Sequence, residues 1–424
     1  MALFINFIPI LLFVGIFFGS GLYFSFMGVD NAFYQVPPTA AILPSIIVAW
    51  LMNRNLEKGA MPSFLDGARH PDIIIMCIIF LLAGALSSVT QAIGSVQSTV
   101  NFALSIINPE YLLIGFFIVS ALISTAIGTS LGTVAALSSL MVELATKGAF
   151  SVEMGAATLV GGAIFGDNLS VISDTTIASV TSQGADLKEK LKLNVKLALP
   201  AAAVTIMIML SIGGEVNITE AGGDYSLILI LPYIVLITLA VMGISVFAVL
   251  IIALALAGAI GIIYADYSLI AYSQDISAGF HDMHEIMLLA ILVGGLSGLS
   301  NHKAKAIVEA LTKLLPKDAG RKSAELLIAF MVSVFDALLA LNTVAIIFCG
   351  EFAKEISLKY KIKPHESAVW LDVFSCVIQG IIPYGAQILL VCAIAEISPL
   401  VVIGKVYYCY VLAGVTLSFI LLRK

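Results

Sequence analysis

Residues Gly166-Asp167-Asn168-Leu169-Ser170-Val171-Ile172-Ser173-Asp174-Thr175-Thr176 set two carboxylates, an amide and four hydroxyls close together, directly after the apolar run 156–165. A carboxylate placed in hydrocarbon costs about 2.5–3.5 kcal/mol even on lenient insertion scales, so acids there mark an ion or proton site. Carboxylate, amide and hydroxyl oxygens suit a hard cation such as Na⁺. The plainer alternative is an exposed loop in which Ser173-Asp174 opens a helix at Thr175.

A second polar interruption, Gln379-Gly380-Ile381-Ile382-Pro383-Tyr384-Gly385-Ala386-Gln387, breaks a helix with one proline and two glycines. It offers Gln379, Tyr384 and Gln387 as neutral ligands and carries no acid, so a site shared with 166–176 is asymmetric. A kinked structural helix is the alternative. Two further polar turns, Gly128-Thr129-Ser130-Leu131-Gly132-Thr133 and Leu341-Asn342-Thr343, read as tips of re-entrant hairpins. Thr129, Ser130, Thr133, Asn342 and Thr343 stand there beside helix N-termini and exposed carbonyls. Asp336 and Asp372 are isolated acids in apolar surroundings, and with Asp174 they are the candidates to carry a proton. The competing view of both is that they cap helix ends. Glu143, Glu153 and Glu396 lie near span ends and read as solvated. The run His281-Asp282-Met283-His284-Glu285 has ligand-like spacing but lacks the order of the zinc-peptidase motifs. It reads as a loop, and no metal beyond Na⁺ is expected.

The elements holding these residues follow from composition. Of 424 residues, 60% are hydrophobic and 11% charged, with a mean hydropathy of +1.07. Soluble domains average about 25% charged residues. Apolar runs long enough to cross a bilayer recur throughout, and the hydrophilic stretches between them are too short for a soluble domain. The first run lacks a basic leader and a cleavage site and reads as a retained helix. The five cysteines lie in apolar segments without a CxxC pair, which excludes a disulfide or metal framework.

Of the 21 basic residues, all but Lys147 and Lys405 fall in 54–69, 188–196, 303–322, 354–363 and 423–424. Basic loops stay cytoplasmic. The loops 28–39, 91–110, 213–224 and 264–285 have no basic residue and are placed outside. The result is an all-α polytopic protein of about ten transmembrane helices, crossing near 4–26, 40–52, 71–91, 151–182, 195–213, 225–243, 244–263, 285–300, 364–395 and 399–422. Segments 109–147 and 324–353 must enter and leave on one side as re-entrant hairpins. Both termini are cytoplasmic, the protein is multi-pass in the cell (inner) membrane, and the piece 303–315 reads as an interfacial amphipathic helix.

The halves repeat at an offset of about 210 residues: Leu131-Gly132-Thr133-Val134-Ala135 matches Leu341-Asn342-Thr343-Val344-Ala345, and Gly67 matches Gly279. The charge of the corresponding loops inverts. Residues 1–213 and 214–424 are therefore expected to be inverted repeats with broken helices meeting near the midplane, an architecture of secondary transporters.

The stretch 166–176 also resembles the signature of the NhaC family of Na⁺/H⁺ antiporters in the ion transporter superfamily, whose members read G-D-K-x-S-P-x-S-D-T-T. Leu341-Asn342-Thr343 resembles that superfamily's Ser-Asn-Thr hairpin tips, and the likeness runs over nearly the whole chain. By position it implicates Asp167, Ser170, Ser173, Asp174, Thr175 and Thr176. Asn168 stands where the family has lysine, and Val171 where it has proline; losing the lysine removes a possible counter-ion. The resemblance implies Na⁺/H⁺ antiport by alternating access, with the two ions competing for carboxylates around Asp174. It implies no enzyme, no cofactor beyond the transported ions, a bilayer and a small cation as partners, no nucleic acid, and a homodimer as in many members. The alternative on the same fold is a Na⁺- or H⁺-coupled transporter of organic acids or amino acids. A remoter one is an intramembrane metalloprotease using His281, His284 and Asp336.

Overall fold

The computed structural model describes residues 8–27, 29, 35–54, 59–171, 173–212, 223–300 and 320–423. The piece 303–315 expected to be interfacial, half of the loop 28–39 and most of 213–224 lie outside the described residues.

Among the described residues the chain is all-helical, without a strand. The first half contains α1 (Ile8–Phe26), α2 (Pro38–Ala41), α3 (Leu43–Met52), α4 (Ala60–Ala68), α5 (Pro71–Ala92), α6 (Ser95–Ile106), α7 (Leu112–Ile127), α8 (Ser130–Thr146), α9 (Val152–Leu169), α10 (Asp174–Gln183) and α11 (Leu187–Ile212). Then come α12 (Leu227–Val241), α13 (Val246–Tyr264), α14 (Leu269–Asp282), α15 (His284–Ser300), α16 (Arg321–Leu339), α17 (Asn342–Tyr360), α18 (Pro364–Gln379), α19 (Ala386–Ala395), α20 (Pro399–Ile403) and α21 (Tyr407–Leu422).

Apolar residues that suit helices fill these elements, and local chemistry starts and stops them. Pro71 and Pro364 open α5 and α18, where a missing N–H costs nothing. Thr129 and Ser151 cap α8 and α9 with their hydroxyls. Gly128 ends α7 in the left-handed region, at φ 77°, a conformation glycine adopts without strain.

By length and composition, α5, α11, α13 and the broken stretch Val152–Gln183 can each cross a membrane; α14 and α15, bent by 41°, make a fifth candidate. Several of the remaining expected crossings fall on shorter apolar helices such as Pro38–Met52, Leu227–Val241 and Tyr407–Leu422. Three segments read only as loops hold helices. The segments 53–70, 91–110 and 264–285 contain α4, α6 and α14. Charge placement reports which side of the membrane a segment faces and carries no information on whether it is helical.

Packing is reciprocal between the halves. Helix α5 lies along α14 as α4 lies along α15, and α10 lies on α17 as α19 lies on α8. The first two crossings are built on glycine: a Cβ at Gly279 would overlap the Gly84 backbone, and one at Gly67 would overlap Gly294 and Gly298. Backbone-to-backbone contact of this kind is the usual way helices associate when lipid, and not water, surrounds them. Helices α11 and α21 pack on each other between the halves. Helix starts at Ser130, Val152 and Asp174 recur at Asn342, Pro364 and Ala386 with one constant spacing.

Candidate functional site

Both polar interruptions are breaks between helices. In the first, α9 stops at Leu169 and α10 starts at Asp174; in the second, α18 stops at Gln379 and α19 starts at Ala386. The two hairpin tips are equally short: α7 gives way to α8 across Gly128-Thr129, and α16 to α17 across Ala340-Leu341. All four breaks line one cavity of about 100 Å³. A single water needs only on the order of 10–15 Å³ on this measure, so there is room for an ion with part of its water shell.

Asp167 is the best-held acid of the cavity. It is 5% exposed; Ser130 Oγ donates to one carboxylate oxygen at 2.8 Å and the Ser173 hydroxyl donates to the other. Ser173 Oγ in turn lies 3.0 Å from Thr175 Oγ1. Gln387 Nε2, from the other half of the chain, donates to Ser130 Oγ at 2.9 Å. The Asp167 carboxylate is thus gripped by the α9–α10 break and the first tip, with the second break one bond behind.

Asp174, at the first position of α10, is exposed towards the cavity, where the helix N-terminus favours a negative charge. Thr129, Asn342, Thr343, Gln379 and Gln387 also line the cavity. Asn342 Oδ1 accepts from Thr343 N at 2.9 Å, and Gln379 Nε2 donates to the Ala340 carbonyl at 3.3 Å.

The remaining expected residues do not line it. The Asn168 carbonyl accepts from Asn194 Nδ2 at 2.7 Å, and Ser170 N donates to the Gly166 carbonyl at 2.9 Å. Thr133 Oγ1 donates back to the Thr129 carbonyl. Tyr384 OH donates to the Ala337 carbonyl at 2.5 Å. Thr176 Oγ1 accepts from Lys190 Nζ at 2.6 Å. These five are supports of the breaks, behind the residues that face the cavity.

The three proton candidates separate. Asp174 faces the cavity. Asp372 is fully buried and paired with Lys190 Nζ at 2.7 Å, with Asn194 Nδ2 donating to the same oxygen at 3.0 Å. Asp336 is fully buried, outside the cavity lining, with no hydrogen-bond partner at either carboxyl oxygen.

Two residues escape the sequence reading. Asp72 lines the cavity from the first turn of α5, 3.7 Å from His70 Nδ1. An acid in a first turn is ordinary helix chemistry and gives no signal. Lys190 groups by sequence with the cytoplasmic cations, but the structure buries it completely.

Each break presents one helix C-terminus and one N-terminus to the cavity. Their partial charges, roughly −0.5 and +0.5, offset each other. The lining contains Asp72, Asp167 and Asp174 and no basic residue among those described, so side chains set the sign, and it is negative. His281 and His284 stack at the bend between α14 and α15, 4.8 Å between ring centroids. No group of three or more His, Cys, Asp or Glu is arranged to hold a metal among the described residues.

Fold and site together define a polytopic helical membrane protein with an acidic cavity between paired breaks. Residues 4–214 match the Na⁺/H⁺ antiporter family, and the curated relatives include NhaC proteins. It is 28% identical over 171 residues to the Na⁺/H⁺ antiporter NhaC of Bacillus subtilis, covering 40% of this chain and 36% of the relative. It is 26% identical over 182 residues to NhaC of Alkalihalophilus pseudofirmus (42% and 39% covered), and 25% identical over 186 residues to the malate-2H⁺/Na⁺-lactate antiporter of B. subtilis (43% and 39%). The matched stretch thus spans less than half the length of each relative. The solved YdaH transporter of Alcanivorax borkumensis superposes with a TM-score of 0.43 at 12% identity, covering 95% of this chain and 98% of that one.

Proposed function

We propose that this chain is a secondary transporter, and not an enzyme, that exchanges a small cation for protons by alternating access. Na⁺ is the candidate cation. The observation that carries the reading is the sign of the cavity: its helix ends offset one another and its carboxylates do not. Asp167 supplies the central charge, Ser130 and Ser173 orient it, and Thr175 and Asn342 add oxygen ligands of the kind hard cations take. The reciprocal packing of the halves and the recurring helix starts support a division into repeats at 1–213 and 214–424. In an inverted arrangement, rocking one half against the other would open the cavity to each side in turn. Placement in the cell membrane with cytoplasmic termini is part of this reading and rests on the basic loops.

Asp167→Asn keeps the shape of the side chain and removes its charge. In everted vesicles it is expected to abolish Na⁺-dependent proton movement while the protein stays in the membrane. Unimpaired exchange would remove Asp167 from the site. A second reading, a carrier of organic acids, draws on one observation. The N-termini of α17 and α19 reach the cavity without an acid beside them, a setting that suits a substrate carboxylate. The malate and lactate named for one relative are the solutes with which to test it.

A further inference from the structure

Asp336 sits in the last turn of α16 (Arg321–Leu339), beside the second hairpin tip but outside the cavity lining. Its side chain is fully buried, and neither carboxyl oxygen meets a donor. The other deep acids differ: Asp167 accepts from two serines and Asp372 holds Lys190. No charged group among the described residues faces Asp336. From the helices and turns packed on it come Cys349 of α17 and Tyr384 of the 380–385 turn, the titratable groups within electrostatic reach among the described residues. The Tyr384 hydroxyl is committed to the Ala337 carbonyl. Asp372 on the neighbouring α18 is neutralised by Lys190. The charged residues of α16 itself, Arg321, Lys322 and Glu325, lie at its opposite end.

A negative charge here meets two opposing effects. Burial without a partner is expensive for a charge, and the C-terminal end of a helix repels anions. A bound proton removes both. An apolar residue would pack at this position without either cost, so packing does not account for the acid. The backbone links the residue to the site: the Asp336 carbonyl accepts from Ala340 N at 2.7 Å. Ala340 holds a left-handed φ of 52° and its carbonyl accepts from Gln379 Nε2. Residues 340–343 then line the cavity. An ionised Asp336 would have to reach water or a donor, and the last turn of α16 could supply that only by shifting the tip.

We propose that Asp336 is a proton-binding site separate from the cation cavity, and that its charge state is transmitted to the cavity through the hairpin tip at 340–343. This departs from a scheme in which one carboxylate takes both ions in turn. Its transport consequence rests on the exchange reading above; the proton site itself does not.

Two measurements on the purified full chain in liposomes test it. In infrared difference spectra at neutral pH, wild type minus Asp336→Asn should show a carboxylic-acid C=O band that shifts in D₂O. No such band would mean an ionised side chain and would overturn the proposal, whatever the cargo. In flux assays, Asp336→Asn and the apolar Asp336→Leu should keep exchange of labelled Na⁺ for Na⁺ and lose Na⁺-driven proton movement. Full proton coupling in both variants would overturn the role. Loss of Na⁺–Na⁺ exchange in both, with protein still correctly inserted, would overturn the separation from the cation site. If wild type moves no Na⁺ at all, the cargo assignment fails and the infrared result still decides the proton site.

Discussion

Lys190 has its whole side chain buried on a helix whose neighbours Lys188, Lys192 and Lys196 are exposed. Its ammonium joins Asp372 of α18 and Thr176 of α10, and Asn194, one turn on, ties the same carboxylate to the end of α9. One cation therefore fastens three elements around the first break. Removing one partner of a buried pair strands the other charge and costs about 3–5 kcal/mol, whereas removing both costs far less. Lys190→Met alone should sharply lower the thermal stability of the detergent-solubilised protein, and Lys190→Met with Asp372→Asn should recover most of it. Equal stability of the single and double variants would show that the pair is not coupled. Lys190 was legible in principle: 190, 194, 197, 201 and 205 form one buried helical stripe. Sorting residues by charge alone hides it, as it hides Asp72 in an ordinary first turn. Asp167, by contrast, was legible because acids directly after an apolar run are too costly at membrane depth unless they hold an ion or a proton.

The breaks and tips were the most legible elements, since glycine, proline and clustered hydroxyls interrupt apolar periodicity wherever helices must stop at membrane depth. The sequence places the second tip at 341–343 and the first break within 166–176; the structure starts α17 at Asn342 and narrows the break to 170–173. What it hides is the role each polar residue plays. Asn168 and Thr176 sit in the same motif as Asp167 yet point into the scaffold, a distinction that depends on helix rotation. Helices α6 and α14 were also hidden, because the charge count that placed 91–110 and 264–285 outside reports sidedness and not helicity. Helix α14 matters because its Gly279 meets Gly84 in a contact that admits no side chain. Gly279→Val should force the two helices apart at an overpacking cost of about 1–3 kcal/mol or more, reducing the yield of folded protein recovered from membranes. Ser277→Val, which places the same side chain at an exposed position of the same helix, should be tolerated better. Equal recovery of the two variants would mean that the crossing is not tightly packed.

For the molecule as a whole, the constant spacing of helix starts and the reciprocal crossings place one acidic break opposite one neutral break around a single cavity. A scaffold with paired breaks supplies matched helix ends from both halves, and the acids of only one half supply charge. The frame thus recurs in both halves while the charge of the cavity comes from one. That division explains why the motif 166–176 alone reveals the chemistry but not the surroundings: Gln387, Gln379 and the tip at 340–343 come from the other half of the chain.

The most direct test of cation-for-proton exchange uses the purified chain in liposomes with an imposed Na⁺ gradient and no organic solute. Exchange predicts that the lumen pH changes in the direction opposed to Na⁺ flow, and that the change is lost in Asp167→Asn. A lumen pH that stays constant under the Na⁺ gradient, and responds only when malate or lactate is added, would contradict the account.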